Sequence, residues 1–376
     1  MGDRGTRVMR HRPTVAVVDL GAIRHNVRTL KPRGSEVMAV VKANGYGHGS
    51  VQVARAAQSA GAQWLGVALV EEGVDLRDAG LAGPILVLTE FPPGSEKEAL
   101  AAGLTPSLYT DEGLDRLTEA AGALGRRVGV HVKVDTGMHR VGIDPARLVP
   151  FVSRLLEAGL ELEGLWTHFA KSEEMADPFT WWQLQRFTRA MADLRGAGVI
   201  PRYRHAANSA AIMSQPQAHL DLVRLGIAMY GLCPSHDLAE AARRLRPALS
   251  WKSAVTMVKR VDAGEAISYG LTYTVQRAST IATVPVGYAD GYSRLLGGKA
   301  EVLIGGRRYP VAGTVTMDQF MVDCGDERVA PGDEVVLIGG QGDEQITADD
   351  VAGWMGTINY EVVCGLSERV PREYVG

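Results

Sequence analysis

The apolar run Val37-Met38-Ala39-Val40-Val41 ends on Lys42, and Ala43-Asn44-Gly45-Tyr46-Gly47-His48-Gly49 follows it. β-Branched Val dominates the run and no charge interrupts it, which predicts a buried strand. Gly45, Gly47 and Gly49 predict a loop whose backbone a ligand can approach closely. An amine placed where a dry strand meets such a loop loses basicity through burial, from about 10.4 for a free lysine, and can then form a Schiff base with a carbonyl. A strand-end lysine that snorkels to solvent is the competing reading.

Polar groups recur at the ends of later apolar runs. Val130-His131-Val132-Lys133-Val134-Asp135-Thr136-Gly137-Met138-His139-Arg140 carries Lys133 inside a run and Arg140 beyond its end. Trp166-Thr167-His168, Ala207-Asn208-Ser209 and Leu222-Val223-Arg224-Leu225-Gly226-Ile227 close others. Each alone reads more readily as a satisfied core polar group; together, on one face, they read as a cofactor pocket. Lys42, Lys133, Arg140, His168 and Arg224 supply positive charge or donors there, with Asp135 the acid nearby, so the pocket suits an anion. Ser209 and the backbone N–H groups of Gly226 and Ile227 are suitable phosphate donors.

Such residues need a scaffold that ends many strands on one face. Runs at 37–41, 64–70, 84–88, 105–109, 128–134, 162–168, 203–207 and 222–230 alternate with helical patterns such as 50–60, 111–124 and 178–197. That rhythm predicts an α/β fold with an N-terminal (β/α)8 barrel of the TIM type over 1–245, whose reactive groups sit at the carboxyl ends of the strands. A doubly wound sheet is the alternative, but no GxGxxG opens a helix after the first strand. From Trp251 onward short β-type runs (254–258, 280–286, 301–304, 335–338) alternate with Gly- and Asp-rich turns. One helical segment, near 347–353, interrupts them. This predicts a C-terminal, mainly β domain over 246–376, against which a strand at 14–18 could pack.

The chain has 376 residues, 46% of them apolar and 22% charged, enough to bury a sizeable core. A net charge of −3 gives no reason to expect nucleic acid or an acidic membrane as partner. The 3 cysteines, Cys233, Cys324 and Cys364, lie far apart without CxxC spacing, which predicts reduced thiols and no metal site. The opening Met1-Gly2-Asp3-Arg4-Gly5-Thr6-Arg7 is polar and basic with no apolar region after it, and no membrane-length apolar run follows. A soluble, cytoplasmic protein is expected.

The segment from Ala39 to Gly49 resembles the cofactor-lysine segment of alanine racemases, fold-type III enzymes that use pyridoxal 5′-phosphate (PLP). The resemblance runs along nearly the whole chain and in the family's order. It passes through Tyr203-Arg204-His205-Ala206-Ala207-Asn208-Ser209-Ala210-Ala211, Ile267-Ser268-Tyr269-Gly270-Leu271-Thr272-Tyr273, Val286-Gly287-Tyr288-Ala289-Asp290-Gly291 and Val311-Ala312-Gly313-Thr314-Val315-Thr316-Met317-Asp318-Gln319. It implies that Lys42 carries PLP and serves as one catalytic base. It also implies that Tyr46, Ser209, Gly226, Ile227 and Tyr360 hold the phosphate, that His168 and Asn208 line the cofactor, and that Arg224 faces the ring nitrogen. An arginine stays charged to above about pH 12, so it would leave that nitrogen unprotonated and favour removal and return of one α-proton over side reactions.

Racemisation needs a base on each face of the α-carbon, and the resemblance implies that Tyr269 is the second. A tyrosine ionises near pH 10, so cationic neighbours such as His168 and Arg224 must stabilise its phenolate; by composition Tyr269 is an ordinary strand tyrosine. In the family the matching tyrosine comes from a second subunit, which implies a homodimer with shared sites. Met317, through its backbone N–H, with Asp318 beside it, would bind the substrate carboxylate, and Tyr288 would line the entrance. Arg140 would pair with that carboxylate and the cofactor phenolate. Lys133 would hold Arg140, as an amine or as a carbamate, unless it is simply a neighbour of Asp135. Two departures from the family pattern touch no chemistry: Gly21 stands where a polar residue is expected, and Thr316 where some relatives carry cysteine.

The resemblance implies interconversion of L- and D-alanine for peptidoglycan precursors. A fold-type III racemase for serine or bulkier amino acids, or a basic amino-acid decarboxylase, is a second reading, and Arg224 argues against decarboxylation. A PLP-carrier protein built on one barrel is a third; residues 245–376 and Tyr269 argue against it.

Overall fold

The computed structural model describes residues 11–376, so the polar opening at 1–7 lies outside the described residues. Two compact units form, one from Leu20–Ala248 and the other from the residues up to Asp19 together with Leu249–Val375. Strand β1 (Val15–Asp19) belongs to the second unit: it pairs antiparallel with Leu249–Ala254 and parallel with Arg372–Val375. The division therefore falls at Asp19/Leu20 and Ala248/Leu249, where the sequence placed one boundary at 245.

The first unit is a ring of eight parallel strands. They are β2 (Glu36–Val40), β3 (Trp64–Val67), β4 (Ile85–Val87), β5 (Thr105–Leu108), β6 (Gly129–Lys133), β7 (Glu161–Trp166), β8 (Tyr203–His205) and β9 (Leu222–Leu225). Each pairs with the next from β2 to β8, and β9 returns to β2. Between β8 and β9, Asp221 N donates to Arg204 O at 3.1 Å and Arg224 N to Ala207 O at 3.0 Å, completing the closure. Helices cover the outside, so strands buried along their whole length, such as Trp64–Val67 and Ile85–Val87, read as apolar runs. Met38, Trp64, Leu86, Tyr203 and Leu222, one from each of five strands, pack in one buried cluster. Burial of each such side chain contributes roughly 1.5–3 kcal/mol.

Local signals set the helix limits. In Asp111–Leu124, Thr110 Oγ1 accepts the Gly113 N–H at 3.0 Å, and Gly125 ends the helix at φ +59°. The face it buries carries Leu114, Leu117, Ala120 and Ala121. The last run, expected to continue over 222–230, stops as a strand at Leu225 and turns into the 3-10 segment Ile227–Tyr230. Gly231 closes that segment at φ +79°, where a Cβ would lie 1.9 Å from Arg246 O.

The second unit is mainly β, built on a 10-stranded sheet that includes β1. The run expected as one strand at 254–258 is the junction of two, Leu249–Ala254 and Met257–Val261. Val255 N bonds to Asp333 O and Thr256 N to Thr283 O, both at 2.9 Å, so the chain changes partner strand at that point. The expected helix is Ala348–Met355, capped by Thr347 accepting from Asp350 N. A second, six-residue helix, Asn359–Cys364, was not anticipated. Among the described residues no helix is long and apolar enough to cross a membrane.

Candidate active site

Lys42 leaves the buried end of β2 into a turn of the wrong hand. Ala43, Asn44, Gly45 and Tyr46 all have φ between +51° and +61°, a short left-handed helix. L-residues avoid that conformation by roughly 1–2 kcal/mol each, so surrounding contacts must impose it. Glu72 supplies one such contact: its Oε1 accepts Ala43 N at 2.6 Å while Oε2 accepts Ala68 N and Leu69 N. Asn44 Oδ1 accepts Ser50 N at 3.1 Å, and the His48 imidazole bonds Tyr46 O at 2.7 Å. The turn sends the Tyr46 ring against Tyr230, 4.9 Å between centroids, and Tyr230 is itself anchored to Val40 O.

Tyr46 thereby reaches the loop after β9. A Cβ on Gly226 would lie 2.9 Å from Tyr46 Oη and 3.6 Å from Ser209 Oγ, so this space exists only because residue 226 is glycine. Ser209 Oγ accepts Gly226 N at 2.9 Å and Ala228 N at 3.3 Å, and Ile227 opens the 3-10 segment between them. Asn208 caps the helix Ser209–Ser214, its Oδ1 accepting from Ala211 N and from Ser172 Oγ. The result is a hydroxyl-lined hollow beside two turned backbone segments, whose donors suit a small anion.

Cations gather on the same face. His168 feels Arg224, Arg140, Lys133 and Lys42, and burial with these charges pushes its imidazole well below the usual range. Lys133 is buried, bonds Val141 O, and sits 5.2 Å from the Trp166 ring. Burial lowers its ammonium to about 8 against the opposing pull of Asp135. Asp135, held low despite burial by the Gly137 and His139 N–H groups, is the acid of this cluster. Arg140 is exposed. Arg224 is inside the barrel, donating to Thr167 O at 2.8 Å, Ala206 O at 2.9 Å and His168 Nδ1 at 3.1 Å. Burial lowers its guanidinium to about 9, which leaves it charged at neutral pH. Among the described residues no His, Cys, Asp or Glu group is arranged to hold a metal ion.

The second unit assembles its own group. Tyr269, Tyr288, Met317 and Asp318 line one open cavity of about 330 Å³, together with Arg294 and Thr314. Tyr269 is 74% exposed on a loop where Ser268, Gly270 and Leu271 all have positive φ. Thr314 pins it by donating to Tyr269 O at 2.9 Å and accepting from Ser268 Oγ at 2.7 Å. Tyr288 N and Ala289 N bond Thr316 O and Met317 O, an approach that a Cβ on Gly287 would block at 2.2 Å. Asp318 pairs with Arg369 at 2.8 Å. Tyr360, in the helix Asn359–Cys364, does not line this cavity.

The buried imidazoles make stability pH-sensitive. Burial, with Arg224 nearby, holds His131 down at about 3 and His205 well below its usual range. Both are neutral in the native state but take up protons below about pH 6.5 when unfolded, so stability is complete above that pH and falls as pH drops towards 3. At pH 5 the His131 ring should cost about 2 kcal/mol relative to pH 7, with His205 adding in the same direction. Urea midpoints at pH 7 and pH 5 measure this; equal midpoints would mean the rings are already charged in the folded protein.

Residues 18–234 match the family described as alanine racemase, N-terminal domain, and 248–374 match alanine racemase, C-terminal domain. The chain belongs to the alanine racemase family. It is 54% identical over 371 residues to the alanine racemase of Symbiobacterium thermophilum, covering 97% of this chain and 98% of that one. Among solved structures, alanine racemase from the D-cycloserine producer Streptomyces lavendulae superposes with a TM-score of 0.93 at 41% identity, covering 98% of each chain. The Bacillus anthracis alanine racemase with bound L-Ala-P also gives 0.93 at 41%, covering 98% of this chain and 96% of that one. The protein is thus an amino-acid racemase, an isomerase. Sequence reasoning passed over Glu72, Arg294, His131 and His205 in this racemase fold. For the two histidines the available signal was an imidazole inside a run otherwise buried and apolar.

Proposed function

We infer that this racemase interconverts L- and D-alanine with PLP, using Lys42 and Tyr269 as bases on opposite faces of the α-carbon. The observation that carries this reading is the hollow between Tyr46, Ser209 and Gly226, which lies on the face where Lys42 emerges and a Cβ would fill. Its hydroxyls and turned amides fit the phosphate of PLP, and the Arg224 guanidinium, charged and donating only, fits an unprotonated ring nitrogen. When bound, PLP supplies an electron sink that makes the α-proton of an amino acid removable.

The chain's own groups then have assigned tasks. Lys42 Nζ, the group that would hold the cofactor, takes or returns the proton on one face, and Tyr269 Oη does so on the other. Arg224 supplies the positive field that stabilises a phenolate, and His168, neutral through burial beside that charge, accepts from Arg224 on Nδ1 and offers its Nε2–H. Arg140 and the Met317 N–H, with Asp318 beside it, orient the substrate carboxylate, while Tyr288 narrows the approach. Tyr360 and Ile227 complete the phosphate site, and Asn208 braces it through its cap. Lys133, lowered to about 8, keeps a fraction of its amine free at neutral pH, the form a carbamate requires, and braces Arg140. L-Ala-P in the Bacillus anthracis relative supports an alanine-derived ligand. The exposure of Tyr269 supports a homodimer in which each site takes this residue from the partner; a cytoplasmic location and a supply of D-alanine for peptidoglycan synthesis complete the reading.

Purified protein loaded with PLP should bring either enantiomer of alanine to an equal mixture, followed by polarimetry, and should turn over serine and larger amino acids more slowly. Faster turnover of a larger amino acid would move the assignment to another racemase of this fold type. No turnover of any amino acid with PLP bound would refute it.

A further inference from the structure

Arg224 is 3% exposed, yet no carboxylate stands among its hydrogen-bond partners. One of those partners is His205, whose Nδ1 lies 2.9 Å from the guanidinium Nη1. A guanidinium only donates, so His205 Nδ1 must accept, and the ring's one proton sits on Nε2. That Nε2 lies 2.9 Å from His131 Nδ1, which must accept in its turn. His131 is therefore neutral as well, with its proton on Nε2. His131 Nε2 is buried without a hydrogen-bond partner, and Glu163 Oε2 faces it at 3.8 Å. Donor direction thus runs one way from Arg224 through two imidazoles towards an acid.

The backbone is shaped around this line. In the β6–β7 pairing Val130 stands opposite Leu162 but His131 opposite Gly164, so Glu163 is the extra residue of a bulge. Bulges are rare in parallel pairs and re-aim side chains. A Cβ on Gly164 would lie 2.4 Å from His131 Nδ1, and one on Gly129 would lie 2.9 Å from Glu163 Oε2. Trp166 stacks on His205 at 5.5 Å, and Trp64 lies 5.0 Å from His131. The line ends at Glu163, which lines a cavity of about 140 Å³ with Arg126 and Arg127 before β6, at the amino end of the barrel. Arg202 and Glu161 are the other charges facing Glu163.

We propose that His205 and His131 are positioning residues for Arg224, a hydrogen-bonded pair that fixes the guanidinium's orientation, with the Glu163 carboxyl facing its far end at 3.8 Å as an acidic terminus across the barrel. No proton moves along it: Arg224 keeps its hydrogens and each imidazole keeps one. Its catalytic consequence rests on reading Arg224 as the group that faces the PLP ring nitrogen; its hydrogen-bond content does not.

Nitrogen-15 NMR of histidine-labelled full-length protein without PLP tests the line directly. His131 and His205 should each give one unprotonated Nδ1 and one protonated Nε2, unchanged from pH 7 to pH 5. An Nδ1–H tautomer or an imidazolium at either ring would overturn the proposal, whether or not the protein binds PLP. His131→Leu removes the acceptor for His205 Nε2–H, whereas His131→Asn offers a carbonyl oxygen in its place. His205 should show mixed tautomers in the Leu variant and a single one in the Asn variant. With PLP bound, kcat for alanine should fall about tenfold or more in the Leu variant with KM within about twofold, and recover in the Asn variant. Equal kcat and an unchanged His205 signal in both variants would also overturn it. Failure of PLP to bind the wild type would instead count against the cofactor reading alone.

Discussion

Lys42→Ala should lose alanine racemisation by at least about 10⁴-fold, the upper end of what one acid–base group supplies, because on the proposed reading it removes both a base and the covalent hold on PLP. Borohydride treatment of the wild type should fix PLP to the chain, with peptide mapping finding it on Lys42. The same treatment of the variant should leave no label. Label on another lysine, or a variant of undiminished rate, would reject the assignment. The expectation follows from the structure of the turn. Lys42 leaves a fully buried stretch, Val37–Val41, where the next four residues wind left-handed, so its backbone direction is set by Glu72 and Asn44 rather than by its own preference.

Tyr269→Phe should depress proton removal from one enantiomer of alanine by roughly 10²–10⁴-fold and from the other far less, since only one face loses its base. Deuterium uptake from solvent, measured separately from L- and D-alanine, reads the two faces, with L-alanine expected to be the more affected. Equal losses would argue against separate bases. Mixing the Tyr269→Phe and Lys42→Ala chains tests where the tyrosine comes from. If each site draws Tyr269 from a partner, hybrid dimers contain one site with both residues intact, and activity returns. If both groups come from one chain, the mixture stays inactive. The phenol is mounted for such a role: it is 74% exposed, on a loop held by Thr314 and by residues in positive-φ conformations.

The barrel was legible because parallel strands buried on both sides favour apolar residues, as Trp64–Val67 and Ile85–Val87 show. The polar strand ends were legible for the complementary reason: Lys133, His168 and Arg224 interrupt apolar runs, and the fold draws them within reach of one another's charge. What sequence missed was imposed by packing. Ala43 and Asn44 have no preference strong enough to announce a left-handed turn, since the cause lies in Glu72, twenty-eight or more positions later. Val255 and Thr256 look like strand because each does pair, but with different partners. The helix Asn359–Cys364 is too short for a periodic signal. His131 carries no local mark of its link to Arg224, because that link passes through a residue on another strand.

Strand β1 also orders events during synthesis. It leaves the ribosome before every barrel strand, but its two neighbours are Leu249–Ala254 and Arg372–Val375, both translated after the whole barrel. The barrel is therefore an insertion within the other unit's chain path, able to collapse on its own while a waiting edge of unpaired amides stands at the amino end. Closing that loop across most of the polypeptide carries a large entropic toll before any contact rewards it, so completion of the β unit should be the slow stage of maturation.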